Sequence, residues 1–243
     1  MDIIRSEKLE HGKKHLTPWH RHADGQLYWL TRGMIALETP DRQWALTAGC
    51  IGWFPPHLAH RACAFGNMTG LSLHLAAEYC RDLPGAPQIF SANALLQALA
   101  ERIASLNACA LTAKHLRLIQ VLIDELSSAP TIASHLPLPQ DGRALNIARE
   151  ILENPDDPRT QAQWAGWGGL SARTLSRLFL AQTGIGFAHW RQQARLLRSL
   201  ALLANGDAVG NVAAACGYEN VSAYIAVFRR RFGVTPGSYF AKG

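Results

Sequence analysis

The 243-residue sequence lacks the usual marks of a secreted or membrane-spanning protein. Its five cysteines are dispersed and odd in number, which argues against a disulfide framework, a zinc finger or a thioredoxin-like site. No apolar run approaches the roughly 20 residues of a membrane span, and the N-terminal residues MDIIRSEKLEHGKK contain no signal-peptide core. We therefore expect a cytoplasmic protein without a membrane partner. Its predicted free thiols are Cys50, Cys63, Cys80, Cys109 and Cys216.

Charge and histidine are divided unevenly along the chain. Residues 1–140 contain 12 Lys and Arg against 11 Asp and Glu, whereas residues 141–243 contain 12 against 7. Nine of the ten histidines precede residue 141. The basic C-terminal part suits a phosphate-binding surface. The histidine-rich N-terminal part indicates a different chemistry, and the length allows two domains.

Short apolar segments separated by turn residues fill residues 17–76. They are QLYWLT, MIALET, QWALTA, IGWFP, RACAF and LSLHLA. Gly, Pro, Asp and Asn occupy the intervals between them. Several short strands at near-regular spacing predict a closed barrel or a sandwich.

Two histidine-containing segments lie in this part of the chain, WHRHADGQ and PPHLAHRACAFGN. If His20 and His22 share a strand, alternation places both imidazoles on one face. Gln26 follows four residues on, and His60 could arrive from an opposing strand. Neutral imidazoles are the commonest ligands of zinc, nickel, copper and iron, and an amide oxygen is a weaker ligand. We predict a divalent transition metal, zinc or nickel, at these four side chains; a histidine-lined pocket without metal is the alternative.

The same segments resemble the two motifs of the cupin fold. The first motif is HxHxxxE followed by a glycine, and it corresponds to His20, His22, Gln26 and Gly33. The second motif is a proline-rich turn that leads to a histidine, and it corresponds to Pro55, Pro56 and His60. Gln26 replaces the acidic residue of the motif, which lowers the expected metal affinity. The resemblance implies a sensor barrel, or alternatively a metal-dependent dioxygenase or isomerase. Because only Asp24 could serve as a carboxylate base, we predict no catalytic residue.

Helical periodicity follows the predicted strands. It covers residues 91–106 and 112–126, with Ser91 and Thr112 as N-caps. The second helix has a wide apolar stripe that could pack on the barrel or on a second copy of the chain. Residues 129–142 are rich in proline and small polar residues, which is typical of a linker.

The C-terminal part contains two related segments, 164–190 and 212–239. Aligned pairs include Ala165 with Ala213, Gly169 with Gly217, Leu175 with Tyr224, Phe179 with Phe228, and Gly184 with Gly233. Such self-similarity indicates a duplicated unit, and each copy has the pattern of helix, tight turn, helix. A bundle with a solvated charged face is the alternative for one such segment, but two copies in tandem favour paired DNA reading.

This part of the chain resembles the DNA-binding domain of the AraC/XylS family of bacterial transcription regulators. The resemblance lies in the aligned pairs, in the connecting segment WRQQARLLRSLALL and in the GYEN...F.R.FG...P..Y signature of the second copy. The resemblance implies an α+β protein with a cupin-like β-barrel (1–80), a helical dimerisation segment (81–128), a linker (129–142) and an all-α domain (143–243) with two helix-turn-helix units joined by a long helix. It implies a homodimer that binds promoter DNA and senses a metal ion or a small effector.

The first turns of the two reading helices are the predicted base-contacting positions. These are Ala172, Arg173, Ser176 and Arg177 in the first copy and Asn220, Ser222, Ala223 and Tyr224 in the second. Arg229 and Arg230 are predicted phosphate contacts. Gly166 and Gly168 should weaken the first helix of the first copy, by up to about 1 kcal/mol each. We expect more base reading from the first copy and more anchoring from the second.

Overall fold

The computed structural model describes residues 4–12, 15–64, 67–106, 111–132 and 134–239. The chain divides into two compact units, Met1–Thr39 with Leu46–Ser134, and Pro40–Ala45 with His135–Gly243. Among the described helices, none has the length and apolar character needed to cross a membrane.

Ten strands are present among the described residues. They are β1 (Ile4–His11), β2 (His15–Leu16), β3 (Gly25–Arg32), β4 (Met34–Thr39), β5 (Arg42–Thr47), β6 (Cys50–Phe54), β7 (Arg61–Ala64), β8 (Met68–Leu75), β9 (Gln88–Ser91) and β10 (His135–Pro137). In the first unit, an antiparallel sheet has the order β1-β8-β3-β6-β9, and β7 pairs with β4 and β2. In the second unit, β10 pairs with the first residues of β5. The six predicted strands are therefore confirmed, and their described ends agree with the prediction to within three residues.

Two helices cover one face of the five-stranded sheet, α1 (Ala94–Ala104) and α2 (Ala113–Ser128). The N-cap of α1 is Asn93, whose side chain accepts from Leu96 N at 2.8 Å; the predicted cap, Ser91, instead ends β9. Thr112 caps α2 as predicted.

The apolar stripe of α2 is buried against its own sheet. Ile119, Leu122 and Leu126 are fully buried in one cluster with α1 and residues from β3, β6 and β8. Packing on the sheet is therefore the correct alternative for this stripe. The large apolar side chains of α1 and α2 that remain exposed among the described residues are Leu95 and Val121.

The second unit is helical. It contains α3 (Gly142–Glu153), α4 (Gln161–Trp167), α5 (Ala172–Thr183), α6 (Phe187–Ala204), α7 (Val209–Ala215), α8 (Val221–Phe232) and α9 (Pro236–Tyr239). Pairs α4–α5 and α7–α8 are the two helix-turn-helix units, and the 18-residue α6 joins them. The predicted α+β class, with an N-terminal β domain and a C-terminal helical domain, is confirmed.

The two helix-turn-helix units use equivalent residues in equivalent roles. Gly169 and Gly217 adopt φ values of +66° and +71° in the two turns, a region that costs other residues about 1–2 kcal/mol. The aligned pairs Leu175 with Tyr224 and Phe179 with Phe228 are fully buried. Gly168 is the C-cap of α4 rather than an interior residue. A Cβ there would lie 2.4 Å from Ile147 Cδ1, so this glycine allows α3 to approach.

The predicted linker contains ordered structure. Leu136 and Leu138 are buried, and Trp190 Nε1 donates to the Pro137 carbonyl at 2.6 Å. Residues 135–138 therefore belong to the core of the second unit. Asp141, at the end of the predicted linker, is the N-cap of α3.

Candidate functional site

The histidine cluster of the first unit is built at a backbone bridge between two loops. His20 and His60 exchange backbone hydrogen bonds of 3.0 and 2.9 Å. Because β3 begins only at Gly25, His20 and His22 do not share a strand, contrary to the alternation argument. Their rings nevertheless converge, since the ligand atoms of His20, His22 and His60 all lie within 4.8 Å of one another.

Backbone carbonyls orient two of these rings. His20 Nδ1 lies 2.8 Å from the Pro18 oxygen and His60 Nδ1 lies 2.9 Å from the Leu58 oxygen. A neutral imidazole that donates from Nδ1 leaves a lone pair on Nε2. Burial lowers the pKa of His60 to about 4, and burial likewise lowers the pKa of His22. These two rings are therefore neutral at pH 7, as a metal ligand must be.

Gln26 is buried beside the cluster. Its Oε1 lies 3.1 Å from His60 Nε2, and its Nε2 donates to Ser72 Oγ at 2.8 Å. If His60 donates from Nδ1, the first contact joins two lone-pair atoms. Such a pair is reconciled either by a shared cation or by reversal of the amide, whose two ends have the same shape.

A fourth histidine, His74, joins the cluster from β8. It pairs in register with Gln26, its ring centre lies 5.1 Å from that of His22, and its Nε2 lies 3.2 Å from Ser72 Oγ. Its Nδ1 is buried without a hydrogen-bond partner among the described residues, and burial lowers its pKa to about 4. No local sequence pattern favours His74 over His57, which is exposed. The signal that identifies His74 is the long-range register of β3 with β8.

The reading helices present most of the predicted DNA contacts to solvent. Arg173, Arg177, Ser222, Ala223, Arg229 and Arg230 are exposed. Ser176 is half-buried, and its hydroxyl accepts from Gln161 Nε2 at 2.5 Å. Ala172 is also half-buried.

Two predicted base-contacting residues have structural roles. Asn220 is the N-cap of α8, and its Oδ1 accepts from Ser222 N at 2.8 Å. Tyr224 is fully buried, with its ring 5.3 Å from that of Tyr218 and 5.7 Å from that of Phe228. This burial removes Tyr224 from the base-contacting set. Its alignment with Leu175 in the sequence repeat was the signal for a core position.

Four of the five cysteines lie among the described residues. Cys80 and Cys216 are buried, and Cys50 and Cys63 are half-buried. Cys109 lies outside the described residues.

Comparison with known proteins gives consistent matches in both parts of the chain. The model of an AraC-like ligand binding domain matches residues 8–154, and that of a helix-turn-helix domain matches residues 164–242. HTH-type transcriptional regulator NimR of Escherichia coli strain K12 is 32% identical over 232 residues, 93% of this chain and 83% of that protein. HTH-type transcriptional regulator RipA of Corynebacterium glutamicum is 36% identical over 103 residues, 42% of this chain and 31% of that protein.

Solved structures match at lower similarity. ToxT from Vibrio cholerae covers 98% of both chains at 13% identity, with a TM-score of 0.42. The DNA-binding domain of AdpA in complex with a target DNA is 28% identical, with a TM-score of 0.39, over 41% of this chain and 90% of that one.

The ligand-binding-domain model spans more than half of the chain, and the likeness to NimR spans nearly all of it. The second unit independently contains two helix-turn-helix units with exposed arginines on the first reading helix. The chain therefore belongs to the AraC family, as a DNA-binding transcription regulator with an N-terminal ligand-binding domain.

Proposed function

We propose that the histidine cluster is the effector site of this regulator, and that it binds a divalent transition metal, alone or as the anchor of a small effector. The observation that carries the proposal is the convergence of His20, His22 and His60, whose ligand atoms lie within 4.8 Å of one another. Zinc or nickel suits three neutral imidazoles. An organic effector that binds the same histidines without metal is the second candidate.

The surroundings of the cluster support a metal ligand set. Outer hydrogen bonds from imidazole Nδ1 to backbone carbonyls are the usual way in which proteins orient metal-binding histidines. His20 and His60 have this arrangement, each with the carbonyl two residues earlier in the chain. Gln26 Oε1, 3.1 Å from His60 Nε2, is positioned to be the weak fourth ligand.

Metal content tests this site. We expect purified wild-type protein to hold about one equivalent of zinc or nickel, and His20→Ala and His60→Ala to bind the ion at least about tenfold more weakly. His57→Asn is the matched control, because His57 is an exposed histidine with a φ of 63°, which asparagine tolerates.

Elemental analysis and titration with each ion measure the result. Equal metal content in all four proteins would refute the metal site. If an organic ligand in metal-free buffer stabilised wild-type protein against unfolding but did not stabilise His60→Ala, the second candidate would be favoured.

Regulation requires that the bound effector favours one state of the protein over another. We propose that occupancy of the cluster changes the affinity of the two reading helices for promoter DNA. The affinity of metal-loaded and chelator-treated protein for the same duplex tests this coupling. Identical affinities, with metal content confirmed, would disprove it.

We also propose that the regulator is a homodimer and that it has no enzymatic activity. Because the α2 stripe is buried within the chain, we propose that a second copy uses the faces with exposed Leu95 and Val121. Sedimentation equilibrium tests the dimer, and a monomer at DNA-binding concentrations would exclude it.

Oxygen consumption by iron-loaded protein would restore the dioxygenase alternative, for which Asp24 is the nearby carboxylate.

A further inference from the structure

A cleft of about 270 Å³ lies within the second unit, apart from the exposed faces of the reading helices. It is lined by Gln161, Phe187, Arg191, Gln192, Arg195 and Tyr218. Among the described residues that line it, two are arginines and none is a carboxylate. The cleft is therefore cationic and rich in hydrogen-bond donors.

Several donors in this lining have no acceptor among the described residues. Tyr218 Oη and Arg191 Nε are both buried and without a partner. Arg195 donates from Nε to the Pro155 carbonyl at 2.9 Å, which leaves its Nη groups uncommitted. Buried donors without acceptors are costly in a native protein, so they need an acceptor that water or a ligand supplies.

The backbone adds positive potential at the same place. Helix α6 begins at Phe187, and Phe187 and Ala188 both line the cleft. The N-cap of α6 is Gly186, which has no side chain to accept from the first-turn amides. The positive end of an 18-residue helix therefore supplements the two guanidinium groups.

The position of the cleft links the two reading helices. Gln161 donates to the Ala172 carbonyl at 3.2 Å and to Ser176 Oγ, both in the first part of α5. Tyr218 lies two residues before Asn220, the N-cap of α8. Two residues that line the cleft therefore adjoin the beginnings of the two reading helices, and the beginning of such a helix is the end that enters DNA.

We propose that this cleft binds a backbone phosphate of the DNA between the two sites that α5 and α8 read. A phosphodiester carries one negative charge and two acceptor oxygens, which match the uncommitted donors of Arg195, Tyr218 and Arg191. The contact positions the two reading helices together and contributes no sequence preference. This inference rests on DNA binding by the helix-turn-helix units.

Adjacent glutamines on α6 provide a matched test. Gln192 lines the cleft, whereas Gln193 does not, and both are half-buried. Gln192→Glu introduces a carboxylate that pairs with a neighbouring guanidinium and repels phosphate. Gln193→Glu makes the same change in net charge on another side of α6. Tyr218→Phe removes only the hydroxyl.

Affinity for a mixed-sequence duplex is measured by fluorescence anisotropy from about 50 to 200 mM salt. We expect Gln192→Glu to bind roughly fivefold more weakly than Gln193→Glu. The slope of log binding constant against log salt concentration should also be shallower by about 0.9, which corresponds to the loss of one phosphate contact. Tyr218→Phe should weaken binding about twofold. Thermal unfolding of each full-length variant confirms that the fold is retained.

Equal affinity and slope for Gln192→Glu and Gln193→Glu would overturn the proposal. So would submillimolar binding of inorganic phosphate to DNA-free wild type that Gln192→Glu abolishes while duplex affinity is unchanged, because the cleft would then serve a free anion. Arg173→Ala changes a residue outside the cleft and should reduce discrimination between DNA sequences. If it does so while Gln192→Glu and Gln193→Glu bind equally, DNA reading by α5 is intact and only the cleft proposal fails.

Discussion

The two helix-turn-helix units have the same lengths and the same core positions, but they are stabilised differently. Each has a first helix of seven residues and a reading helix of twelve, and each reading helix ends at a left-handed glycine. The first helix of the first helix-turn-helix unit, α4, has a capping box formed by Thr160 and Gln163. The equivalent helix of the second helix-turn-helix unit, α7, begins after Ala208, which has no side-chain cap.

The predicted weakening of α4 by its glycines is only partly correct. Gly166 lies within α4, but Gly168 lies at its C-cap, and the capping box stabilises the start of this helix. In the second helix-turn-helix unit, Arg229, Arg230 and Arg231 lie in the last turn of α8, where positive charge stabilises the helix end. A sequence repeat therefore identifies shared core positions, while caps and surface charge differ between copies.

The largest expected difference lies in the turns. At Gly217 a Cβ would lie 3.0 Å from Asp156 Cα and 2.9 Å from Arg195 Nη2, whereas at Gly169 a Cβ would have no atom of the described residues within 4 Å. We expect Gly217→Ala to lower the free energy of unfolding by roughly 2–3 kcal/mol, from backbone strain and overpacking. Gly169→Ala should cost about 1 kcal/mol, from strain alone. Urea unfolding measures both, and equal losses would show that the turns are equivalent.

The next difference concerns base reading and anchoring. A duplex selected by wild-type protein from a random pool provides the cognate site. We expect Arg173→Ala to lose about 1–3 kcal/mol of discrimination between this site and a scrambled duplex. Arg230→Ala should weaken binding to both duplexes equally and reduce the salt slope by about 0.9. Equal losses on both duplexes for both variants would refute the division of roles.

The smallest expected difference is in the caps of the first helices. Thr160→Ala should destabilise the protein by about 1 kcal/mol, because it removes the acceptor for Gln163 N. Ala208→Ser should stabilise it by about 0.5 kcal/mol or more, because Ala208 already has the extended conformation of an N-cap. Thermal unfolding measures both. A stabilised Thr160→Ala protein would contradict the capping argument.

Local sequence patterns predicted the elements that bury their own apolar residues. The six central strands, α2 and both helix-turn-helix units have such patterns. Strand β1 was missed because it is an edge strand with the charged sequence IRSEKLEH, and only its pairing with β8 identifies it. Strand β10 was missed because three residues in a proline-rich stretch show no period.

The candidate site was predicted in part for the same reason. The motif spacing predicts that His20, His22 and His60 lie together, and they do. The assumed shared strand of His20 and His22 is wrong, because both residues precede β3 and lie in a loop. His74 enters only through the register that sets it opposite Gln26, 48 residues away. The cleft at Arg191 and Arg195 could not be predicted, because it depends on how α4, α6 and the α7–α8 turn pack.

Two of the arginines of α6, Arg191 and Arg195, have a kinetic consequence. Arg191 donates to the carbonyls of Asp157 and Arg159, and Arg195 donates to that of Pro155. Carbonyl oxygens carry no formal charge, so both guanidinium groups keep their positive charge while their rotamers are fixed. An ordered cation loses less side-chain entropy on binding than a mobile lysine does. We therefore expect these two residues to prolong the residence of the regulator on DNA more than they accelerate its arrival.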